Sequence, residues 1–130
     1  MSKQQTLTNL DYLAAKYAQR IIQCTHDHKP DKVENTITKA LGVLQENGIY
    51  ACFLYLLAKE KDNGPIVVEE MLKLLGEIFD EWKYSGDTRP NEVLSHIGDK
   101  ITQNLERLLL AKETLEQMLI YARYGAKAIG

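Results

Sequence analysis

The chain has 130 residues, 45% of them hydrophobic, and a formal net charge of −2 at pH 7. This length fits one domain over residues 1–130, and the charge argues against both a strongly basic nucleic-acid binder and an acidic disordered chain. The polar N-terminus lacks the apolar core of a signal peptide, and no apolar run reaches transmembrane length. We therefore expect a cytoplasmic protein without membrane contact.

The first part of the chain has the pattern of two amphipathic helices. Apolar residues recur at spacings of three and four over residues 7–25, and again over residues 31–47. A polar segment over residues 26–30 separates the two helices. Gly48 follows the second helix and can adopt the left-handed conformation that ends a helix and turns the chain.

The central stretch, residues 49–60, is the most apolar part of the chain. Ten apolar or aromatic residues follow one another from Ile49 to Ala58. A helix that is apolar on every side is typical of a core, and ten residues are too few to cross a bilayer. We expect a buried central helix here, covered by the other helices of the bundle.

The second half predicts three further helices. Pro65 precedes an amphipathic helix over residues 66–82, Pro90 begins a short one, and a long C-terminal helix runs over about residues 100–129. Gly98 and Asp99 suggest a break before it, although an unbroken helix is also compatible with the pattern. The sequence thus predicts an all-α, single-domain bundle of about six helices. The outer face of the fourth helix carries acidic residues: Glu69, Glu70, Glu77, Asp80 and Glu81.

Few residues suggest catalysis or metal binding. Cys24 and Cys52 lie within helical patterns, and we expect both to be buried, reduced thiols. Cys24, His26 and His28 alternate and could converge on zinc in an extended loop, but a fourth ligand is not apparent. His96 is expected at the surface. We predict no metal, no cofactor and no catalytic residue, with a small metal-binding enzyme as the weakest alternative.

Basic and aromatic residues near helix ends suggest contacts with partners. Lys112 interrupts the apolar stripe of the last helix, so either Glu116 pairs with it or that stretch opens to solvent or a partner. Tyr121 and Tyr124 are expected on the side of this helix away from its stripe, where they could form a protein interface. With the acidic fourth helix, they would suit an adaptor that binds protein only. The candidate basic residues are Lys59, Lys61, Lys112, Arg123 and Lys127.

Two stretches resemble one protein family. TKALGVLQENGIYACFLYLLAKEK, residues 38–61, and AKETLEQMLIYARYGAKAI, residues 111–129, are similar to characteristic segments of the small all-helical subunit of type III-B CRISPR effector complexes, the Cmr type. Ile120 and Ala122 depart from the family pattern, which favours tryptophan and lysine there. The residues that match it are Asn47, Gly48, Phe53, Lys59, Glu113, Leu115, Arg123 and Tyr124.

This resemblance implies a non-catalytic role in RNA-guided antiviral defence. Several copies of such a subunit stack beside the large and backbone subunits and contact the guide–target RNA duplex through basic side chains. By matched position it assigns RNA contact to Lys59 and Arg123, and we add Lys61, Lys112 and Lys127 because they lie in the same regions of the chain. Type III-A complexes contain an analogous subunit, so the subtype stays open.

Overall fold

The structure, a computed structural model, describes residues 10–79, 82 and 89–130. These residues form six α-helices and one π-helical turn, without a strand, which confirms the all-α prediction and the long C-terminal helix. The predicted helix start at residues 7–9, the loop at 83–88, and Asp80 and Glu81 lie outside the described residues. The elements are α1 (Leu10–Cys24), α2 (Pro30–Asn47), α3 (Ile49–Lys59), α4 (Gly64–Ile78), α5 (Pro90–Ile97), the π-helical turn (Gly98–Thr102) and α6 (Leu105–Ile129).

The long helix α6 lies along both α1 and α2. It runs parallel to α1, because the Tyr121 hydroxyl donates to Asp11 at 2.5 Å near the start of α1 and Gly125 lies against Ile22 near its end. It runs antiparallel to α2, because Gly130 lies against Pro30, the first residue of that helix. The end of α6 and the start of α2 therefore lie at the same end of the bundle.

Helix α3 packs against α2, α4 and α5, as expected of a central helix. Its burial is one-sided, however, which corrects the prediction of a helix enclosed all round. Phe53 is fully buried, whereas Tyr50 is 44% and Leu54 46% exposed. The error has a simple cause, since an unbroken apolar run contains no period that could reveal an open face. The buried residues of α3 are Ile49, Cys52, Phe53 and Leu56.

Tight reversals bracket α3. Gly48 has φ of 96°, a conformation that disfavours residues with a β-carbon, and its amide caps α2 by donating to the carbonyl oxygen of Leu44. At the other end, a β-carbon on Gly64 would lie 2.2 Å from the carbonyl oxygen of Leu56. The chain can therefore enter α4 at this close distance only because residue 64 is glycine.

The junction between α5 and α6 resolves the question left open at Gly98 and Asp99. The helix continues past both residues as a π-helical turn, and the break comes at Asn104, whose Oδ1 accepts a hydrogen bond from the Arg107 amide. Ile101 is buried within the turn. The long helix therefore begins at Leu105, later than predicted.

Ion pairs join α1 and α4 in what we call the α1–α4 seam, comprising Lys16, Tyr17, Arg20, Glu70 and Glu77. Arg20 Nε donates to Glu70 Oε1 at 2.6 Å, and Glu70 is only 1% exposed. Glu77 accepts from the Tyr17 hydroxyl and lies 3.3 Å from Lys16 Nζ. The prediction that Glu70 belongs to a solvated acidic face is wrong, because Glu70 faces α1.

The two cysteines differ in environment. Cys52 is fully buried, its thiol donates to the carbonyl oxygen of Ala40, and burial raises its pKa to about 12. Cys24 is exposed at the end of α1, contrary to the expectation that both thiols are buried.

None of the described helices combines the length and apolar character needed to span a membrane.

Candidate nucleic-acid interface

A groove at one end of the bundle contains Lys59 and Lys61. Two adjoining clefts, of about 450 and 430 Å³, share four residues: Lys32, Lys61, Asp62 and Asn63. We call this surface the end groove. It forms where the α1–α2 loop, the first turns of α2 and the α3–α4 loop meet. Its lining residues are Asp27, His28, Lys29, Lys32, Asn35, Thr36, Lys59, Glu60, Lys61, Asp62 and Asn63.

Glu60 stands between the two lysines in sequence, but its carboxylate is held by other groups. Its carboxylate accepts hydrogen bonds from Thr36 Oγ1 at 2.7 Å and from the Tyr55 hydroxyl at 2.6 Å. Burial, together with this bond, raises the pKa of Tyr55 to about 12. Among the described residues, neither Lys59 nor Lys61 has a carboxylate within 4 Å. Both ammonium groups are therefore available to an external anion.

The other candidate cations follow one side of α6. Lys112, Arg123 and Lys127 are separated by eleven and four residues, close to whole numbers of helical turns, and so form a stripe. Lys127 Nζ lies 3.9 Å from Glu34 of α2, which places the stripe on the α2 side of α6. Within the part of the chain described, Lys112 makes no ion pair with Glu116 or any other carboxylate, and it is half-buried.

The end groove and the stripe of basic residues on α6 lie on opposite sides of α2. The end groove joins Lys32 and Thr36 of α2 to the end of α3, whereas the α6 stripe approaches α2 through Glu34. Between them the outer surface of α2 contributes the exposed Lys39. Along α6, Lys127 and Lys112 are about 22 Å apart at 1.5 Å per residue, so the basic surface is elongated.

The two tyrosines do not form a single exposed aromatic patch. Tyr121 is half-buried against the core, and its hydroxyl bond to Asp11 raises its pKa. Tyr124 is 63% exposed. The prediction that both lie away from the core is therefore wrong for Tyr121, because that side of α6 faces α1. An interface role at Tyr124 stays a prediction.

The candidate zinc ligands do not converge. His26 Nδ1 lies 2.9 Å from the carbonyl oxygen of Gln23, and His28 Nδ1 lies 2.5 Å from Asn63 Oδ1. The described ranges contain no group of three or more His, Cys, Asp or Glu side chains placed to hold a metal ion. His96 is half-buried rather than at the surface, edge-on to Trp82 with ring centroids 4.3 Å apart.

Sequence reasoning missed three residues of the end groove: Lys29, Lys32 and Asn63. Lys29 is the N-cap residue of α2, and Lys32 lies in its first turn. Cations are disfavoured there because the start of a helix is the positive end of its dipole. Two lysines in this unfavourable position are a signal in the sequence that could have drawn attention to this end of the bundle.

Comparison with known protein families, with curated proteins and with solved structures finds no match to this chain.

Proposed function

We propose that the chain is a non-catalytic small subunit of a cytoplasmic type III CRISPR effector complex, of the Cmr type, that contacts the guide–target RNA duplex. Its partners would be the backbone and large subunits, together with further copies of itself. The type III-A counterpart is the alternative subtype. The family assignment comes from the resemblance of residues 38–61 and 111–129, and the mode of RNA contact comes from the charges described above.

The observation that carries the proposal is the lack of acidic partners around the candidate cations. Among the described residues, Lys59, Lys61, Lys112 and Arg123 have no carboxylate within 4 Å, and Lys127 has one only at 3.9 Å. In the α1–α4 seam, by contrast, Arg20 and Lys16 each have an acidic partner. Unpaired cations spread over an elongated surface suit the sequence-independent contact that a phosphate backbone requires.

The net charge of −2 determines how such contacts would work. A single copy would hold RNA weakly, because its basic surface is local and the rest of the chain is acidic. Several copies aligned along one duplex would bind together, since each linked contact raises the effective concentration for the next. Binding to RNA would therefore depend on assembly of the complex. The free subunit would not bind cellular RNA tightly in the absence of a guide.

The test is target-RNA binding by the reconstituted complex at several salt concentrations. Lys59→Gln with Arg123→Gln should weaken binding and reduce the slope of log affinity against log salt by about 0.7–0.9 for each phosphate that a copy no longer neutralises. Lys16→Gln with Lys100→Gln removes the same charge away from α2 and serves as the control. Thermal melts of the free variants should stay close to wild type, since surface changes seldom exceed about 0.5 kcal/mol. An unchanged slope in the first variant, or an equally weakened control, would contradict the proposal.

A protein-only adaptor is the second candidate, and the open face of α3 favours it. Tyr50 and Leu54, one turn apart, expose large apolar surfaces of the kind found at protein interfaces. An adaptor would need these side chains and none of the basic ones. A complex reconstituted without this subunit separates the two functions. Target binding as tight as that of the full complex would favour the adaptor.

A further inference from the structure

Asn63 has an unusual environment at the base of the end groove. It is the N-cap residue of α4, a position where an asparagine oxygen normally accepts a bond from the first turn of its own helix. Here no such bond forms, and Oδ1 lies 2.5 Å from His28 Nδ1 instead. Because a carboxamide oxygen can only accept, His28 Nδ1 carries the proton and donates. With the amide oxygen on the His28 side, Nδ2 lies on the opposite side of the carboxamide.

This orientation leaves the amide nitrogen of Asn63 without a partner. Asn63 is 5% exposed, and within the described residues its Nδ2 donates no hydrogen bond. Nδ2 has some access to solvent, and Asn63 lines the groove. A buried amide with two free donors is costly unless water or a ligand accepts from it.

The surroundings of Asn63 favour an anion as that acceptor. Lys29, Lys32 and Lys61 line the same cleft. No side chain caps α2 at Lys29 or α4 at Asn63. Asp31 lies in the first turn of α2, whereas the first turn of α4 contains no acidic residue, so the positive end of α4 borders the groove without an internal anionic partner. Lysines, a helix N-terminus and an amide donor are together the groups that proteins use to hold oxyanions.

We propose that the end groove binds one phosphate group over Asn63, either inorganic phosphate or a terminal phosphate monoester. Asn63 Nδ2 donates to one phosphate oxygen, and the three lysines neutralise the dianion. Asp27 and Asp62 also line this cleft and repel a long polyanion that would extend across it. A compact dianion gains the most from the lysines at the least cost from the aspartates, so the site prefers a monoester to a diester.

This site goes beyond the duplex contact proposed above and does not depend on it. Phosphate binding here requires no assembled complex and none of the basic residues of α6. It is therefore measurable on the free chain, and its failure would leave the duplex proposal standing.

The experiment is a titration of the isotope-labelled free protein with sodium phosphate at pH 8, followed by amide NMR, with sodium chloride keeping the ionic strength constant. We expect saturable shifts of the Asn63 side-chain amide and of the Lys32 backbone amide. The sharpest variant is Asn63→Asp, which keeps an oxygen for His28 and a good N-cap residue but replaces the donor nitrogen. Followed at Lys32, it should bind phosphate at least tenfold more weakly.

Matched controls separate this site from general attraction to a basic surface. Lys61→Gln should weaken phosphate binding several-fold, whereas Lys39→Gln, an exposed lysine of α2 outside the groove, should not. Dimethyl phosphate, a diester, should bind at least tenfold more weakly than phosphate. Tighter binding of a 5′-phosphorylated oligonucleotide than of its 5′-hydroxyl form would assign the site to nucleic-acid ends, and equal binding would assign it to free phosphate.

Three outcomes would overturn the proposal. The first is a set of equal shifts on adding chloride alone. The second is wild-type affinity of Asn63→Asp for phosphate. The third is dimethyl phosphate binding as tightly as phosphate itself.

Discussion

The α1–α4 seam and the end groove are both rich in charge, yet they use it in opposite ways. In the seam, Arg20 and Lys16 each have a carboxylate of α4 within 3.3 Å, and one of those carboxylates is buried. In the end groove, Lys59 and Lys61 have none within 4 Å among the described residues, and the nearby Glu60 bonds to Thr36 and Tyr55 instead. Both regions contain basic and acidic residues, so composition does not distinguish them. They differ in whether the basic side chains form ion pairs, which depends on the fold.

The difference shows which charges the fold needs. A buried, paired charge contributes to stability because removing one partner leaves the other desolvated. An exposed, unpaired charge contributes little to folding and is free to act on a ligand. We expect substitutions at the Arg20–Glu70 pair of the seam to change stability and substitutions in the groove to change binding.

A similar contrast, between buried and exposed side chains, exists within α3. We expect the largest effect on stability here. Phe53→Ala should lower the free energy of unfolding by about 3–5 kcal/mol, because Phe53 is fully buried in a close-packed core. Leu54→Ala, its neighbour on the exposed side, should cost less than about 1 kcal/mol. Urea denaturation of both variants measures the difference. Similar costs would mean that the outer side of α3 is covered in the free protein.

Within the seam, Arg20 and Lys16 of α1 offer a matched comparison, because each pairs with a carboxylate of α4. Arg20→Ala should cost up to about 3 kcal/mol, the lower end for breaking a buried pair, because Glu70 is buried but Arg20 is 40% exposed and Glu70 would keep Lys73 at 3.4 Å. Lys16→Ala should cost less than about 1 kcal/mol, since both Lys16 and Glu77 are partly exposed. Equal costs in thermal or urea unfolding would show that burial of the partner does not decide the value of a charge here.

His96 is neither fully buried nor fully exposed. We expect the smallest effect here, on the pH dependence of the free energy of unfolding. Burial, reinforced by Lys100, lowers its pKa below the usual 6.5. The unfolded chain therefore takes up this proton more readily, and the free energy of unfolding should fall as the pH drops below about 6.5. His96→Gln should remove this contribution, which corresponds to a fraction of one proton. Melting of both proteins between pH 8 and pH 5 checks it, and identical pH dependence would contradict it.

Much of the fold could be predicted from the sequence, because amphipathic periodicity and the residues at helix ends are local signals. Pro30, Pro90 and Gly48 indicated helix boundaries to within one residue. The open side of α3 and the inward-facing Glu70 could not be predicted in this way. Each depends on which neighbour happens to cover a side of a helix, and that information is not local.

The candidate site was less predictable than the fold. The individual lysines were visible in the sequence, but their grouping on the two sides of α2 depends on tertiary packing. Asn63 carried no signal, because an asparagine before a helix normally indicates a cap. Only its contact with His28, 35 residues away in sequence, gives it another role.

The two glycines that bracket α3 also determine what distant relatives of this chain should share. Gly48 is fixed by its positive φ, and Gly64 by the carbonyl oxygen of Leu56 that leaves no room for a β-carbon. Neither constraint concerns RNA or phosphate, so both should persist where surface lysines have drifted. Searches for divergent members of this lineage should therefore weight this glycine pair and the apolar helix between them above the basic residues.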